Sequence, residues 1–285
     1  MQTKLSINEL SKLKKIAHEM RISILKMVYN AQSGHLGGNL SAVELILTLY
    51  KKVLKHDKAW KKSKDFEKRD RFILSKGHAS AALYCVLAEE GYFDKKELMT
   101  FRKFGSKLQG HPSSRFLDGV EVSTGSLGQG LSIACGVALG LKLDKIDSFV
   151  YAYLGDGELQ EGQIYEALMN AGHNRLNNLI AIVDRNGYQI DGHTECVKCI
   201  DPIDKKFQSF GWQTLSVDGH NIERILEVYE KAKEIAIENK KPVAIIANTI
   251  KGKGISFMEN TAAWHGKAPN TEQYEAALKE LEEQN

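Results

Sequence analysis

The tightest constraint on this chain is a pair of apolar runs, about thirty residues apart, that each stop at a polar turn. Ser148 to Leu154 alternates apolar and aromatic residues and ends at Gly155-Asp156-Gly157, the pattern of a buried strand closed by a sharp turn. Glu161 to Asn174 then has helical spacing, with Ile164, Ala167, Leu168 and Ala171 on one face. Leu179 to Val183 is a second apolar strand, ending at Asp184-Arg185-Asn186. Two parallel strands joined by a crossover helix bring both carboxyl ends to one edge of the sheet, where α/β proteins bind ligands. Asp156 and Asn186 are therefore expected to be neighbours in space.

A carboxylate and an amide oxygen beside glycines suit a hard cation such as Mg²⁺ or Ca²⁺, and magnesium shares its remaining positions with water and phosphate. The helix that starts just after Gly157 offers backbone N–H groups to such a phosphate. A lone Gly-Asp-Gly fits equally well a turn in which Asp156 merely caps that helix. Asn186, at the end of the next strand, tips the balance toward a metal-bridged diphosphate.

Gly155-Asp156-Gly157, the intervening helix and Asn186 resemble the thiamine diphosphate fingerprint, and Leu159-Gln160-Glu161-Gly162 with Asp191-Gly192 resembles its transketolase version. The resemblance extends from Arg21 to His265. It takes in Arg21 through Ser41, including Ser33-Gly34-His35, then Gly110-His111-Pro112 and the Thr124-Gly125-Ser126-Leu127-Gly128-Gln129-Gly130 loop. It covers only the first domain of that enzyme. One domain over residues 1–285 is expected, an α/β thiamine diphosphate-binding fold with a doubly wound parallel sheet and helices on both faces.

The resemblance implies a set of roles. Asp156, Asn186 and the backbone oxygen of Tyr188 would hold Mg²⁺, with Ca²⁺ or Mn²⁺ as alternatives. Gly157, Glu158 and His78 would contact the diphosphate, and Gly125, Ser126 and Leu127 the aminopyrimidine. His35, His111 and His265 would face the sugar, and Asn186 and His265 also count as cofactor contacts. The implied reaction moves a two-carbon ketol unit from a ketose phosphate to an aldose phosphate, as in pentose phosphate metabolism, with histidines handling protons. One departure is visible: some family members carry a second histidine three residues before His265, where this chain has Ala262.

No glutamate here occupies the motif of the acid that the family uses to protonate the aminopyrimidine. A separate C-terminal, pyrimidine-binding subunit is therefore implied, with two copies of each chain in a closed heterotetramer. Two other functions share parts of the pattern. The diphosphate-binding subunit of a 2-oxo acid dehydrogenase has Gly-Asp-Gly and the asparagine, but Ser33-Gly34-His35 and Gly110-His111-Pro112 fit ketose handling better. A non-catalytic cofactor scaffold would have no need of all the candidate histidines.

Composition narrows the field. The 39 basic and 36 acidic residues leave a net charge of only +3, too balanced for nucleic acid as the main partner. No apolar run reaches membrane-span length, and Met1 to Lys15 is polar and lysine-rich, so a cytoplasmic protein is expected. The lysine-crowded stretch Lys51 to Arg71, interleaved with acids, reads as a solvated connector. Cys196-Val197-Lys198-Cys199 is a lone CxxC without a second pair at zinc-site spacing and is expected to be dispensable.

Local expectations complete the reading. Ile7 to Gln32 is amphipathic, and the chain then breaks into a glycine loop that carries His35. Ser41 and Glu44 form a capping-box pattern for a helix from Ala42 to Leu54. Phe72 to Leu74 is a short strand, and the turn Ser75-Lys76-Gly77-His78 leads into a helix. A helix opening at the Gly125 loop and running to Leu143 carries Gly130, Gly136 and Gly140, each costing about 1 kcal/mol against alanine. That cost suggests close packing, within the domain or against another chain. Leu215 to Val217 and Val243 to Thr249 are further strands, and Ile222 to Glu238 and Thr271 to Glu283 further helices.

Overall fold

The computed structural model describes residues 5–284. In chain order the main elements are α1 (Ile7–Ala31), α2 (Leu36–Leu40), α3 (Val43–Thr48), β1 (Arg71–Leu74), α4 (Ser80–Glu89), α5 (Gln129–Leu143), β2 (Val150–Gly155), α6 (Gly162–His173) and β3 (Leu179–Arg185). There follow β4 (Tyr188–Gln189), β5 (Gly192–His193), α7 (Thr194–Val197), α8 (Ile203–Ser209), β6 (Gln213–Asp218), α9 (Ile222–Asn239), β7 (Val243–Asn248) and α10 (Thr271–Glu283).

The main sheet has five parallel strands in the order β1-β2-β3-β7-β6. Strands β2 and β3 alternate between two cores, as a period of two requires. Tyr151, Tyr153, Ile180 and Ile182 pack with α1, α3, α4 and α9, whereas Ala152, Leu154, Ala181 and Val183 pack with α5, α6 and α8. The sheet is thus covered on both faces, as its uninterrupted apolar strands require. In β2 every residue is buried.

Register places the strand ends. Gly155 pairs with Asp184, and Asp184 with Ala247. Asp156 therefore begins one residue beyond the sheet, its N–H donating to the Asp184 carbonyl at 3.2 Å. Because β7 lies between β3 and β6, the loop after β7 emerges beside the turn after β3.

Three local expectations are corrected. Ser41 does not cap α3: it lies at the carboxyl end of α2, and its hydroxyl donates to Asp184 at 2.7 Å. Glu44 is drawn instead to Arg21 and His220, so no capping box forms, and the helix ends at Thr48 in a π turn over Leu49–Val53. The glycine loop around His35 is tighter than expected, since Gly37 and Gly38 are helical within α2. The three glycines of α5 also differ from one another. A Cβ on Gly130 would lie 2.6 Å from Ser75 Cα, an intradomain contact, but one on Gly136 or Gly140 would meet no atom within 4 Å.

Candidate active site

A cavity of about 310 Å³ opens at the carboxyl ends of β2 and β3. It gathers His35, His78, His111, Gly125, Leu127, Asp156, Gly157, Glu158, Asn186, Tyr188 and His265 from separate loops. Of the residues expected from sequence, only Ser126 lies outside it. Ser126 is exposed, and its carbonyl accepts from Gln129 N–H at the start of α5. A larger cavity of about 740 Å³, beside Trp60 and Phe66, is lined by residues that precede β1 and β2. That is the amino end of the strands, away from the edge where parallel sheets place ligands.

Asp156 is 2% exposed and is held by two main-chain donors, Gly157 N–H to Oδ1 at 2.8 Å and Gly187 N–H to Oδ2 at 2.6 Å. The capping reading of Gly-Asp-Gly is thus met in part: Asp156 braces its own turn and ties it to the turn after β3. Burial, and then the neighbouring Asp184, push its carboxyl up to about 6. Asn186 Oδ1 accepts from Tyr188 N–H at 3.1 Å, and the Tyr188 carbonyl accepts from Lys251 Nζ at 3.0 Å. One carboxylate, one amide oxygen and one carbonyl form an all-oxygen set that fits a hard cation, and Asp156 has no directly paired cation of its own among the described residues. No group of three or more His, Cys, Asp or Glu side chains among the described residues is arranged to hold a metal.

Glu158 has its side chain committed within the fold. Its carboxylate accepts from Ser75 Oγ at 2.5 Å, Gly128 N–H at 2.9 Å and Gly155 N–H at 3.0 Å. It binds the strand ends to the loop before α5, which leaves only its main chain to meet a cofactor.

The four imidazoles form one cluster. Ring centroids lie 5.2 Å apart for His35 and His78, 5.5 Å for His35 and His265, 5.3 Å for His78 and His265, and 6.2 Å for His35 and His111. Burial comes first in lowering all four. Arg102 adds to it at His35, pushed down to about 4, and at His111, while Lys251 adds to it at His265, pushed down to about 3, and Lys76 at His78. Each ring is neutral at neutral pH and offers one donor and one acceptor.

Sequence reasoning missed the cations and Asp184. Lys76 and Asp184 form a fully buried ion pair, and Asp184 also accepts from Ser41, Thr249 and Tyr153. Burial, the largest influence, would raise the Asp184 carboxyl, but the Lys76 charge together with the hydrogen bonds from Lys76, Thr249 and Ser41 outweighs it and the net shift is downward. Lys251, 1% exposed, is pushed down to about 8 by burial and then by Lys76. Arg102 donates to Ser33 Oγ at 3.0 Å and to the Gly110 carbonyl at 3.3 Å, joining the His35 and His111 loops. The signal for Asp184 was a charge inside an apolar strand; for Lys76 and Lys251 it was a lysine flanking a strand-end glycine.

Cys196 and Cys199 are exposed free thiols. No helix among the described residues is long and apolar enough to cross a membrane.

Fold and site together define a thiamine diphosphate-binding α/β domain, and residues 12–282 match the family model for the transketolase thiamine diphosphate binding domain. The chain belongs to the transketolase family of transferases, as an N-terminal transketolase subunit. It is 41% identical to a subunit of the apulose-4-phosphate transketolase of Phocaeicola vulgatus, over 92% of this chain and 91% of that protein. Identity is also 41% to the 6-deoxy-6-sulfo-D-fructose transketolase subunit SqwG of a Clostridium species, over 94% and 95%. Human transketolase is 39% identical over 96% of this chain, which spans only 42% of that protein. The crystal structure of Campylobacter jejuni transketolase superposes with a TM-score of 0.87 at 35% identity, covering 98% of this chain and 43% of that one.

Proposed function

We propose that this single-domain chain binds thiamine diphosphate through Mg²⁺ and, with a separate C-terminal subunit, transfers a two-carbon ketol unit between sugar phosphates. The observation that carries the reading is Asp156, a buried carboxylate raised by its surroundings and without a directly paired cation, set beside Asn186 and the Tyr188 carbonyl and facing four neutral histidines. Asp156, Asn186 and the Tyr188 carbonyl would hold the metal. Main-chain N–H groups of Gly157 and Glu158, with His78, would meet the diphosphate. Gly125 and Leu127, with Ser126 at their edge, would border the aminopyrimidine.

The cofactor, once bound, supplies the nucleophilic carbon and the electron sink of ketol transfer. The chain's own part is to exclude water and handle protons. His35, His111 and His265 line the cavity as neutral rings, each able to hold a sugar hydroxyl through the ring nitrogen that faces it. Two relatives named as subunits are matched over nearly their whole length, which supports a partner subunit, and closed symmetry favours two copies of each chain. The exposed side of α5, with Gly136, Gly140 and Leu143, is the candidate surface for close approach by that partner. A cytoplasmic location belongs to the same reading, to be checked by cell fractionation.

The test is to assay the purified chain with Mg²⁺, thiamine diphosphate, a ketose phosphate and an aldose phosphate, alone and then with the partner subunit. Ketol transfer is expected only in the mixture. Robust turnover by the chain alone would show that the proton-donating acid lies within it.

A further inference from the structure

Behind the histidine cluster lies a buried network that the proposed chemistry does not use. Glu44 of α3, 7% exposed, takes Arg21 of α1 at 2.6 and 2.8 Å, and Nδ1 of His220, in the turn between β6 and α9, at 3.0 Å. The second nitrogen of His220, Nε2, lies 2.8 Å from the main-chain N–H of Ile250, just after β7. Arg21 Nε donates to the Lys253 carbonyl at 3.1 Å. Between those anchors, Lys251 reaches into the cavity, where its Nζ meets the Tyr188 carbonyl at 3.0 Å and His265 Nδ1 at 2.9 Å.

The donor and acceptor roles along this line are forced. A main-chain N–H can only donate, so Nε2 of His220 carries no proton, and Nδ1 carries it toward Glu44. An ammonium can likewise only donate, so Nδ1 of His265 accepts and the ring's proton sits on Nε2. The Lys251 stem is seated from the other side by Gly37: a Cβ there would lie 2.8 Å from Lys251 Cγ, and Gly252 N–H donates to the Gly37 carbonyl at 3.0 Å. A purely space-filling role would be met at lower desolvation cost by an apolar side chain in place of a buried carboxylate and imidazole.

We propose that Glu44 and His220 are positioning residues: they fix the main chain at Ile250, so that Lys251 is delivered to His265 and sets the tautomer of that imidazole. His265 is here the sugar-facing group of the proposed function, so the catalytic consequence rests on that reading, while the tautomers themselves do not.

Nitrogen-15 NMR of the labelled chain, without cofactor, reads both rings directly. Wild type is expected to show His220 protonated on Nδ1 and His265 on Nε2. In His220→Phe, His265 becomes a mixture of tautomers, and in enzyme assembled with the partner subunit kcat falls about tenfold with KM changed by less than roughly threefold. Glu44→Gln keeps an acceptor for the His220 Nδ1–H and, although it leaves Arg21 without its counter-charge, is expected in its folded fraction to retain the His265 signature and most of kcat, whereas Glu44→Leu behaves like His220→Phe. A proton on Nε2 of wild-type His220 overturns the proposal even if every variant fails to fold. An unchanged His265 signature in folded His220→Phe also overturns it, as does a kcat that falls only in step with the folded fraction. Absence of ketol transfer in assembled wild type would count against the proposed function instead, and the two NMR signatures would still decide the positioning role.

Discussion

Two aspartates at the ends of adjacent strands, Asp156 and Asp184, have opposite electrostatic fates. Both are buried, at 2% and 0% exposure. Asp184 is saturated: Lys76 neutralises it, and the hydroxyls of Ser41, Tyr153 and Thr249 complete its shell. Asp156 receives two main-chain N–H groups and no direct cation, and Asp184 itself works against its charge. One carboxylate is part of the fold's internal structure; the other has no directly paired cation, and in the proposed function an ion from outside completes it. The difference lies in neighbours, since residue type and burial are nearly the same.

The largest effect is expected at the saturated site. Asp184→Asn leaves Lys76 buried without its counter-charge, and breaking such a pair costs about 3–5 kcal/mol. Urea unfolding of the chain alone should show that loss; a change below about 1 kcal/mol would erase the contrast between the two sites.

Asp156→Asn should act in the opposite direction on the chain alone. The carboxyl is raised from 3.8 to about 6, a shift that corresponds to a penalty of about 3 kcal/mol for the ionised form at neutral pH. Asparagine loses one acceptor, so a net gain of about 2 kcal/mol is expected near pH 7.5. The sign of the pH dependence follows. Between the unfolded value near 3.8 and about 6 the folded state holds the extra proton, so the wild-type penalty is full above about 6 and shrinks as pH falls through that window. The advantage of Asp156→Asn should therefore close as pH is lowered, and a difference independent of pH would contradict the assignment. Asp184, with a depressed carboxyl, does the reverse: its contribution is present above the ordinary aspartate range and is lost only as pH falls through the lowered value.

A smaller change refines the comparison. Ser41→Ala removes one donor from Asp184 while keeping Lys76, and should cost about 1–2 kcal/mol. Smaller still, replacing Cys196 and Cys199 by serine should leave ketol transfer in the assembled enzyme and bound zinc unchanged within error, because both thiols are exposed. Stoichiometric zinc in the wild type, lost in that variant, would overturn this.

How much of this was legible in the sequence also divides along the two sites. Asp156 and Asn186 can be read because each follows an apolar strand at a turn, and parallel topology then brings strand ends together whatever the details. The same logic finds His78, while His35, His111 and His265 come from loops whose convergence only the family resemblance announces. Asp184 cannot be assigned from sequence, since its partners Lys76, Ser41 and Thr249 lie 108, 143 and 65 residues away. Long-range pairing also explains the Ser41–Glu44 misreading: a local capping pattern lost to buried partners in other elements. The structural role of the Glu158 carboxylate is hidden for a related reason, its neighbours Ser75 and Gly128 being set by strand order.

The central claim is that Asp156 is completed by a cation that the cofactor brings. Calorimetric titration of thiamine diphosphate into the chain assembled with its partner subunit, with and without Mg²⁺, tests it for wild type and Asp156→Asn. Mg²⁺ should tighten cofactor binding by wild type at least about tenfold and leave the variant unaffected. Equal affinities for the two proteins, or a metal effect that survives in Asp156→Asn, would contradict the account.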